Sequence, residues 1–295
     1  DLLALGVLSA RALLAPASRV RSRSDVTTRT ALADAGFSEE FVETFFRPFL
    51  SGVFLEDSLE TSARFFHLVW RSMLRGTLCL PRDGIGAVPA QLAAGLPPGA
   101  VRTSSPVSGL TPGGVLLDGT ELRARAVVVA TGAGAAARLL PDLRPVPGRT
   151  VTTLYHAAER SPLPEPPLLV DARRRFLNSC VLTEVQPGFS GDGRALVSTS
   201  VLGAPGPAEE AAVVRALAEA YRTDTGTWEP VHRVTVRNAL PAMPPPLPLT
   251  RTSRLAPGRY VCGDHRATGS LQGALASGAR AAREVLADLG ATREP

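Results

Sequence analysis

The sequence predicts an α/β chain of two lobes, one built on a parallel sheet flanked by helices and the other an α+β lobe of helices and antiparallel strands. Three observations carry this. At 295 residues the chain exceeds what a single hydrophobic core usually serves. Residues 126–130 read AVVVA, a wholly apolar run of the kind that forms a parallel strand buried on both faces. The closing stretch, residues 259–289, reads as a short strand, a tight turn with an acid, and a helix. That is the order in which an open α/β sheet meets a ligand at its carboxyl edge.

Composition narrows the function classes. Charged residues make up 20% and hydrophobic ones 44%, a globular balance. Net charge is +5, and all 32 basic residues are Arg, which fits a GC-rich genome. They are spread along the chain without a basic stripe or interleaved aromatics, so no nucleic-acid partner is expected. Cys79, Cys180 and Cys262 are far apart, as are His67, His156, His232 and His265. No pair has metal-ligand spacing and the odd cysteine count argues against a disulfide framework, so no metal is expected and a reducing cytoplasm fits.

The elements follow in order. Leu2–Ala15 reads as a helix ended near Pro16; it is too short to span a membrane and contains Arg11. Positive charge follows it, at Arg19, Arg21 and Arg23, whereas a signal peptide places charge before its apolar run. A buried helix is the favoured reading. The lesser one has this helix and the three arginines dock peripherally on a membrane to take up a lipid. Ser38 caps a second helix with Glu39 and Glu40 in its first turn; Phe41, Val42, Phe45, Phe46 and Phe49 share a face, and Pro48 marks the end of the pattern. A third helix starts at Asp57 or Ser58. Eight of the ten Phe lie between Phe37 and Phe66, read as an aromatic core in preference to the wall of an apolar channel.

A short helix is expected over Ala90–Leu96, then strands over Val101–Leu110 and Val115–Leu117, and a hairpin turn at Asp118-Gly119 before Glu121–Ala126. Beyond Pro147 the strands are Thr150–Ala157, Leu168–Val170, Leu177–Thr183, Ala195–Val201 and Val231–Arg237, with one helix over Ala208–Tyr221. Residues 241–248, PAMPPPLP, read as a stiff linker. Tyr260–Cys262 is a strand, and Ser270 caps a helix to about Leu289. Its apolar residues Leu271, Leu275, Val285, Leu286 and Leu289 fit a period of 3.6. Its first turns are small, at Gly269, Ser270, Gly273, Ala274, Ser277 and Gly278. They would let a ligand approach backbone N–H groups at the positive end of the helix dipole. Close packing of helix on sheet explains the same residues.

Residues 131–137, TGAGAAA, formally match a dinucleotide fingerprint, G-x-G-x-x-A. The helix after it is stopped by Pro141, and no acid stands about 20 residues on to hold a ribose. A tight turn passing beside a cofactor held by other elements is the favoured reading.

Residues from about Leu32 to Leu289 resemble the flavin-dependent oxidoreductases of the amine-oxidase and phytoene-desaturase superfamily. The stretches that carry the resemblance are 80–89 (LPRDGIGAVP), 106–110 (PVSGL), 127–132 (VVVATG), and Gly263-Asp264 with 269–274 (GSLQGA) and Ser277-Gly278. It implies an FAD-binding Rossmann-like domain from residues 81–147 and 241–295. A substrate domain would take its helical part from 1–80 and its antiparallel sheet from 148–240. It further implies that the backbone of Val107 holds adenine and that Thr131 and Gly132 form the turn beside the cofactor. Gly263 and Asp264 would lie near the ribityl and pyrophosphate, and Ser270, Leu271 and Gln272 would form the helix start facing the flavin. His265 is nearest the flavin by position, a weak catalytic candidate; the general base is otherwise unassigned.

Two departures shape the functional expectation. The N-terminal strand–GxGxxG–helix is not in the sequence, which starts at Asp1, so the Rossmann-like domain is read as incomplete, its first βαβ missing. The chain is then a truncated copy that alone binds FAD poorly and tends to aggregate. There is no Lys, which amine oxidases of the superfamily place near the flavin, and 265–268 (HRAT) hold no Trp or Tyr. The desaturase-like branch, acting on an apolar polyene or isoprenoid, is the better match. The alternatives are a non-enzymatic substrate-binding remnant, one chain of a split flavoenzyme, or an amine oxidase.

Overall fold

The computed structural model describes residues 1–16, 18 and 24–290, so Arg19, Arg21 and Arg23 lie outside the described residues. By its contacts the chain divides into two compact units: Asp1–Ala90 with Arg149–Ala239, and Gln91–Gly148 with Leu240–Pro295.

The first unit begins with α1 (Leu2–Leu14) and α2 (Thr28–Asp34). Only Leu8 of α1 is buried, while Leu2, Leu3 and Leu14 are exposed. The expected buried helix is therefore held along one strip. Trp70 Nε1 donates to Ser9 Oγ at 3.3 Å, and Arg71 Nη1 donates to the carbonyl of Ala15 at 2.7 Å. Then come α3 (Glu39–Phe41), a π-helical stretch (Val42–Phe46) and α4 (Arg47–Phe54). Ser38 caps α3 as its sequence indicates, its hydroxyl accepting from the Phe41 N–H at 3.2 Å.

Pro48 does not end this helix. It sits in the first turn of α4, and the five-residue register just before it carries the chain past a residue that lacks an N–H. The Phe residues of this segment pack on one another and on α5 (Ala63–Arg75), with Phe46 against Phe37, Phe66 and Trp70 at 4.8, 6.0 and 5.7 Å between ring centres. The third helix starts at Ala63, not near Asp57, because residues 56–61 are a loop folded around Glu56 and Ser62 is the cap.

The antiparallel sheet has the order β6-β7-β5-β8, from β5 (Gly148–Ala158), β6 (Asn178–Val181), β7 (Ala195–Leu202) and β8 (Glu229–Pro241). Leu168–Val170 is not a strand but makes a single bridge, Leu169 to Ser179. Strand β6 stops at Val181, where a short helix (Leu182–Val185) begins. Leu154, Val181, Ala195 and Val197 lie on one face of the sheet. They pack against Val213, Ala216, Leu217 and Tyr221 of a long helix, Pro207–Tyr221. Its start is set by Pro207 at the first position and by Glu209, which accepts from the Gly206 N–H at 2.7 Å.

The helix Ala87–Ala94 spans the point where the chain passes from the first unit to the second. A three-stranded meander follows: β1 (Val107–Thr111), β2 (Gly114–Leu117) and β3 (Thr120–Arg123). The first of these starts six residues later than the expected Val101. The Asp118-Gly119 turn has φ of 48° and 78°, the primed hairpin geometry read from the sequence. The other sheet is β4-β10-β9, from β4 (Val127–Val129), β9 (Arg254–Ala256) and β10 (Arg259–Val261), with β4 and β10 parallel in the register Val127 to Arg259.

The helix Ala133–Leu139 covers one face of this sheet, where Val129 and Val261 pack with Ala136 and Leu143. The closing helix, Leu271–Asp288, covers the other face over β10, the Tyr260 hydroxyl bonding Asp288. It leaves Val128 of β4 39% exposed. The expected burial of β4 on both faces is thus one-sided, because the closing helix lies over the neighbouring strand.

Glu56, 3% exposed, organises the loop before α5. Its Oε2 accepts from the Ser58 N–H and hydroxyl at 2.8 and 2.7 Å, and its Oε1 from those of Thr61 at 3.0 and 2.8 Å. Burial pushes its pKa up, but these bonds and the Arg149 charge outweigh that and hold it below the ordinary 4.5. A depressed carboxylate contributes stability above its unfolded pKa and loses it as pH falls through the folded value. Glu56→Gln is therefore expected to lower unfolding stability by about 2 kcal/mol at neutral pH. The gap to the wild type should close in acid, as denaturant titrations at several pH values would show.

Candidate functional site

The residues singled out in the sequence fall in the second unit, and most gather at the carboxyl edge of the β4-β10-β9 sheet. Because β4 and β10 run parallel, the turns after them, Thr131-Gly132 and Gly263-Asp264, leave the sheet side by side. The carbonyl of Thr131 is 3.5 Å from where a Cβ on Gly263 would lie. Gly263 has φ of 144°, and its N–H donates to Ser277 Oγ at 3.1 Å, tying the turn to the closing helix. Val107 is placed differently. It starts β1 in the other sheet of the unit and is 40% exposed; three residues on, Leu110 packs on the Val129–Val261 cluster.

The closing helix does not bury its leucines. Leu271, Leu275 and Leu286 are exposed, and the buried stripe is Gly273, Ser277 and Ala281 at four-residue spacing. The small residues are needed by the protein's own packing. A Cβ on Gly273 would lie 1.9 Å from the Thr268 carbonyl oxygen, and one on Gly269 would lie 2.8 Å from Met243 Cε. One on Gly263 would meet the His265 ring at 2.6 Å. The loop 264–270 is thereby pressed against the first turn of the helix.

This packing presents a donor edge. Ser270 caps the helix, its hydroxyl accepting from the Gly273 N–H at 3.0 Å. The N–H groups of Leu271 and Gln272 have no acceptor among the described residues, as the first positions of a helix require. They stand at the positive end of an 18-residue helix. Asp264 Oδ1 accepts from the His265 N–H at 2.7 Å, and its side chain is 30% exposed. Gly132 caps the helix after β4, and a Cβ there would meet nothing within 4 Å, so the space over that turn is open.

His265, the weak catalytic candidate, lies buried within this loop. Its side chain is 2% exposed, wedged against Gly263, with both ring nitrogens sealed and unpartnered and Nδ1 3.7 Å from Asp264 Oδ1. It forms a wall of the loop. An FAD molecule fits the remaining groups: free N–H donors and a helix dipole for the electron-rich end of a flavin, a partly exposed acid for hydroxyl groups, and an open glycine turn beside them.

Residues 5–286 match the family model described as flavin containing amine oxidoreductase. A comparison with curated proteins gave no match. Among solved structures the chain is similar to an oxidoreductase from Methanosarcina mazei, at 16% identity and a TM-score of 0.66, covering 92% of this chain and 70% of that one. It is also similar to a protein from Exiguobacterium sp. named for protoporphyrinogen oxidase, at 17% identity and a TM-score of 0.68, covering 96% and 71%. A third is a reduced UDP-galactopyranose mutase, at 12% identity and a TM-score of 0.60, covering 97% and 74%. At these identities the likeness is one of fold, a Rossmann-like FAD-binding architecture.

Two glycines of the closing helix separate packing from propensity. Gly273→Ala is expected to destabilise the protein by several times the effect of an ordinary substitution, roughly 3 kcal/mol, because the obstructing atom is backbone. Gly278→Ala, with nothing within 4 Å, should stabilise it by up to about 1 kcal/mol through helix propensity. Thermal unfolding of the two variants measures both.

Proposed function

The chain belongs to the flavin-containing amine oxidoreductase family, and from that premise we propose that it is an FAD-dependent dehydrogenase of the desaturase-like branch, acting on an apolar polyene or isoprenoid. The cofactor of the family is FAD. The observation that carries the reading is the start of the closing helix, where two free N–H groups and the helix dipole are held by glycine packing.

In this reading residues 81–147 and 241–295 bind FAD, and residues 1–80 and 148–240 bind substrate. FAD supplies the acceptor for a hydride. The residues of the chain do the rest. The N–H groups of Leu271 and Gln272, with Ser270 ordering the turn, stabilise the negative charge that reduction brings. Thr131 and Gly132 leave room beside the cofactor, Asp264 accepts from its hydroxyl groups, Gly263 fixes the turn, and the backbone of Val107 meets adenine. The exposed Leu271 and Leu275 offer apolar surface next to the donors and help exclude water.

Two features support an apolar substrate over an amine. The chain has no Lys, and 265–268 hold no Trp or Tyr to surround an ammonium group. No helix among the described residues is long and apolar enough to cross a membrane. Delivery of such a substrate by peripheral membrane contact through α1 belongs to the same proposal.

Leu271→Pro tests the donor role. Proline is tolerated at the first position of a helix, and Ser270 before it has extended backbone, φ −164° and ψ 161°. The variant should fold normally, yet shift the flavin potential about 30–60 mV negative, the equivalent of one charge-assisted hydrogen bond. An unchanged potential would remove the donor role. For the substrate, anaerobic mixing of the flavin-loaded protein with a vesicle-borne polyene should bleach the oxidised flavin, and benzylamine should not. Bleaching by the amine alone would reverse the assignment.

A further inference from the structure

The first unit contains a cavity that the cofactor chemistry does not use. It lies between the helix Pro207–Tyr221 and the β5–β8 edge of the sheet, about 570 Å³ in volume, within the range of small-molecule sites. Its walls include Leu154 and His156 of β5, Val214 and Glu210 of the helix, Trp228, and Arg233 of β8. None of these residues takes part in the site at the closing helix.

His156 gives the cavity its chemistry. It is 6% exposed, and its Nδ1 is sealed without a partner. Burial pushes its pKa below the ordinary 6.5, against an upward pull from Glu210, so the ring is neutral at pH 7. A neutral imidazole carries one N–H, and a sealed N–H without an acceptor is the costlier orphan. The proton therefore sits on Nε2, the nitrogen that is not sealed, and Nε2 has no acceptor among the described residues.

Tyr155 and His232 also line the cavity, their rings stacked 6.3 Å apart; the remaining walls are Trp228, aliphatic side chains and an engaged ion pair. The Trp228 ring stands 6.1 Å from the His156 ring and is braced edge-on by Tyr221 at 5.7 Å. Arg233 donates through Nε to Glu210 at 2.5 Å, through Nη1 to Thr235 Oγ1 at 3.1 Å and through Nη2 to the Pro205 carbonyl at 3.0 Å. An ion pair so engaged does not call for a charged ligand.

We infer that this cavity is a second small-molecule site, taking a planar, uncharged compound with one hydrogen-bond acceptor, such as an aryl amide or ketone, that packs beside Trp228 and accepts from His156 Nε2. The inference stands apart from the cofactor assignment, because its residues and its readouts are separate.

The test uses the whole protein and benzamide as probe. Trp70 and Trp228 are the two tryptophans, so Trp70→Phe leaves Trp228 as the reporter. Millimolar benzamide should quench its fluorescence saturably, and toluene, which lacks the acceptor, should bind about tenfold more weakly. In the unsubstituted protein, benzamide should move the His156 Nε2 resonance in side-chain nitrogen NMR. His156→Phe should remove the preference for benzamide over toluene, and Val214→Phe, which fills the space without adding a second indole, should abolish both responses. The inference is overturned if the His156 resonance stays in place at millimolar benzamide, or if benzamide and toluene bind the unsubstituted protein equally.

Discussion

The contact between Gly273 and the carbonyl of Thr268 is the constraint on which the candidate cofactor site depends. With a would-be Cβ 1.9 Å from a backbone oxygen, only glycine lets the loop 264–270 lie against the first turn of the closing helix. From that contact follow the cap at Ser270, the exposure of the Leu271 and Gln272 N–H groups, and the tie from Gly263 to Ser277. The parallel pairing of β4 with β10 then brings Thr131 and Gly132 to the same edge. Main chain rather than side chains makes the site, so its donors are rigid.

The first unit is ordered by a different physics. Its helical part is an aromatic cluster in which Phe46 is fully buried and meets rings on five neighbouring positions. Its sheet is held by a helix that covers one face and by a buried hydroxyl network. Ser179 Oγ bonds Thr199 Oγ1 at 2.8 Å and the Tyr221 hydroxyl at 2.9 Å, and burial pushes the Tyr221 pKa up to about 12. Polar groups that are satisfied inside such a sheet fix its register. His156, on the same face, is the exception, and the cavity beside it is where that face is incomplete.

Particular residues show how far the chain could be read without coordinates. Ser38 and Ser270 were legible as caps because capping is a local bond between a hydroxyl and an N–H three residues on. Asp118-Gly119 was legible as a hairpin turn for the same local reason. Pro48 misled, because whether proline ends a helix depends on the register of the preceding turn, and a π-helical stretch there has no sequence mark. The leucines of the closing helix also misled. Their 3.6 period is real, but the buried side was chosen by how near the backbone must come to β10 and the loop, which favours Gly273, Ser277 and Ala281.

The sequence by itself determined the local elements, their order, and the family, since caps, turns and apolar runs are written in neighbouring residues and the motif stretches keep their spacing. Tertiary structure decided which faces are buried and which polar atoms are left open. It made β4 half-exposed, wedged His265 against Gly263, and left His156 facing a cavity. The physical reason is that burial and hydrogen-bond satisfaction are set by residues far apart in the chain, whose distances no local pattern encodes.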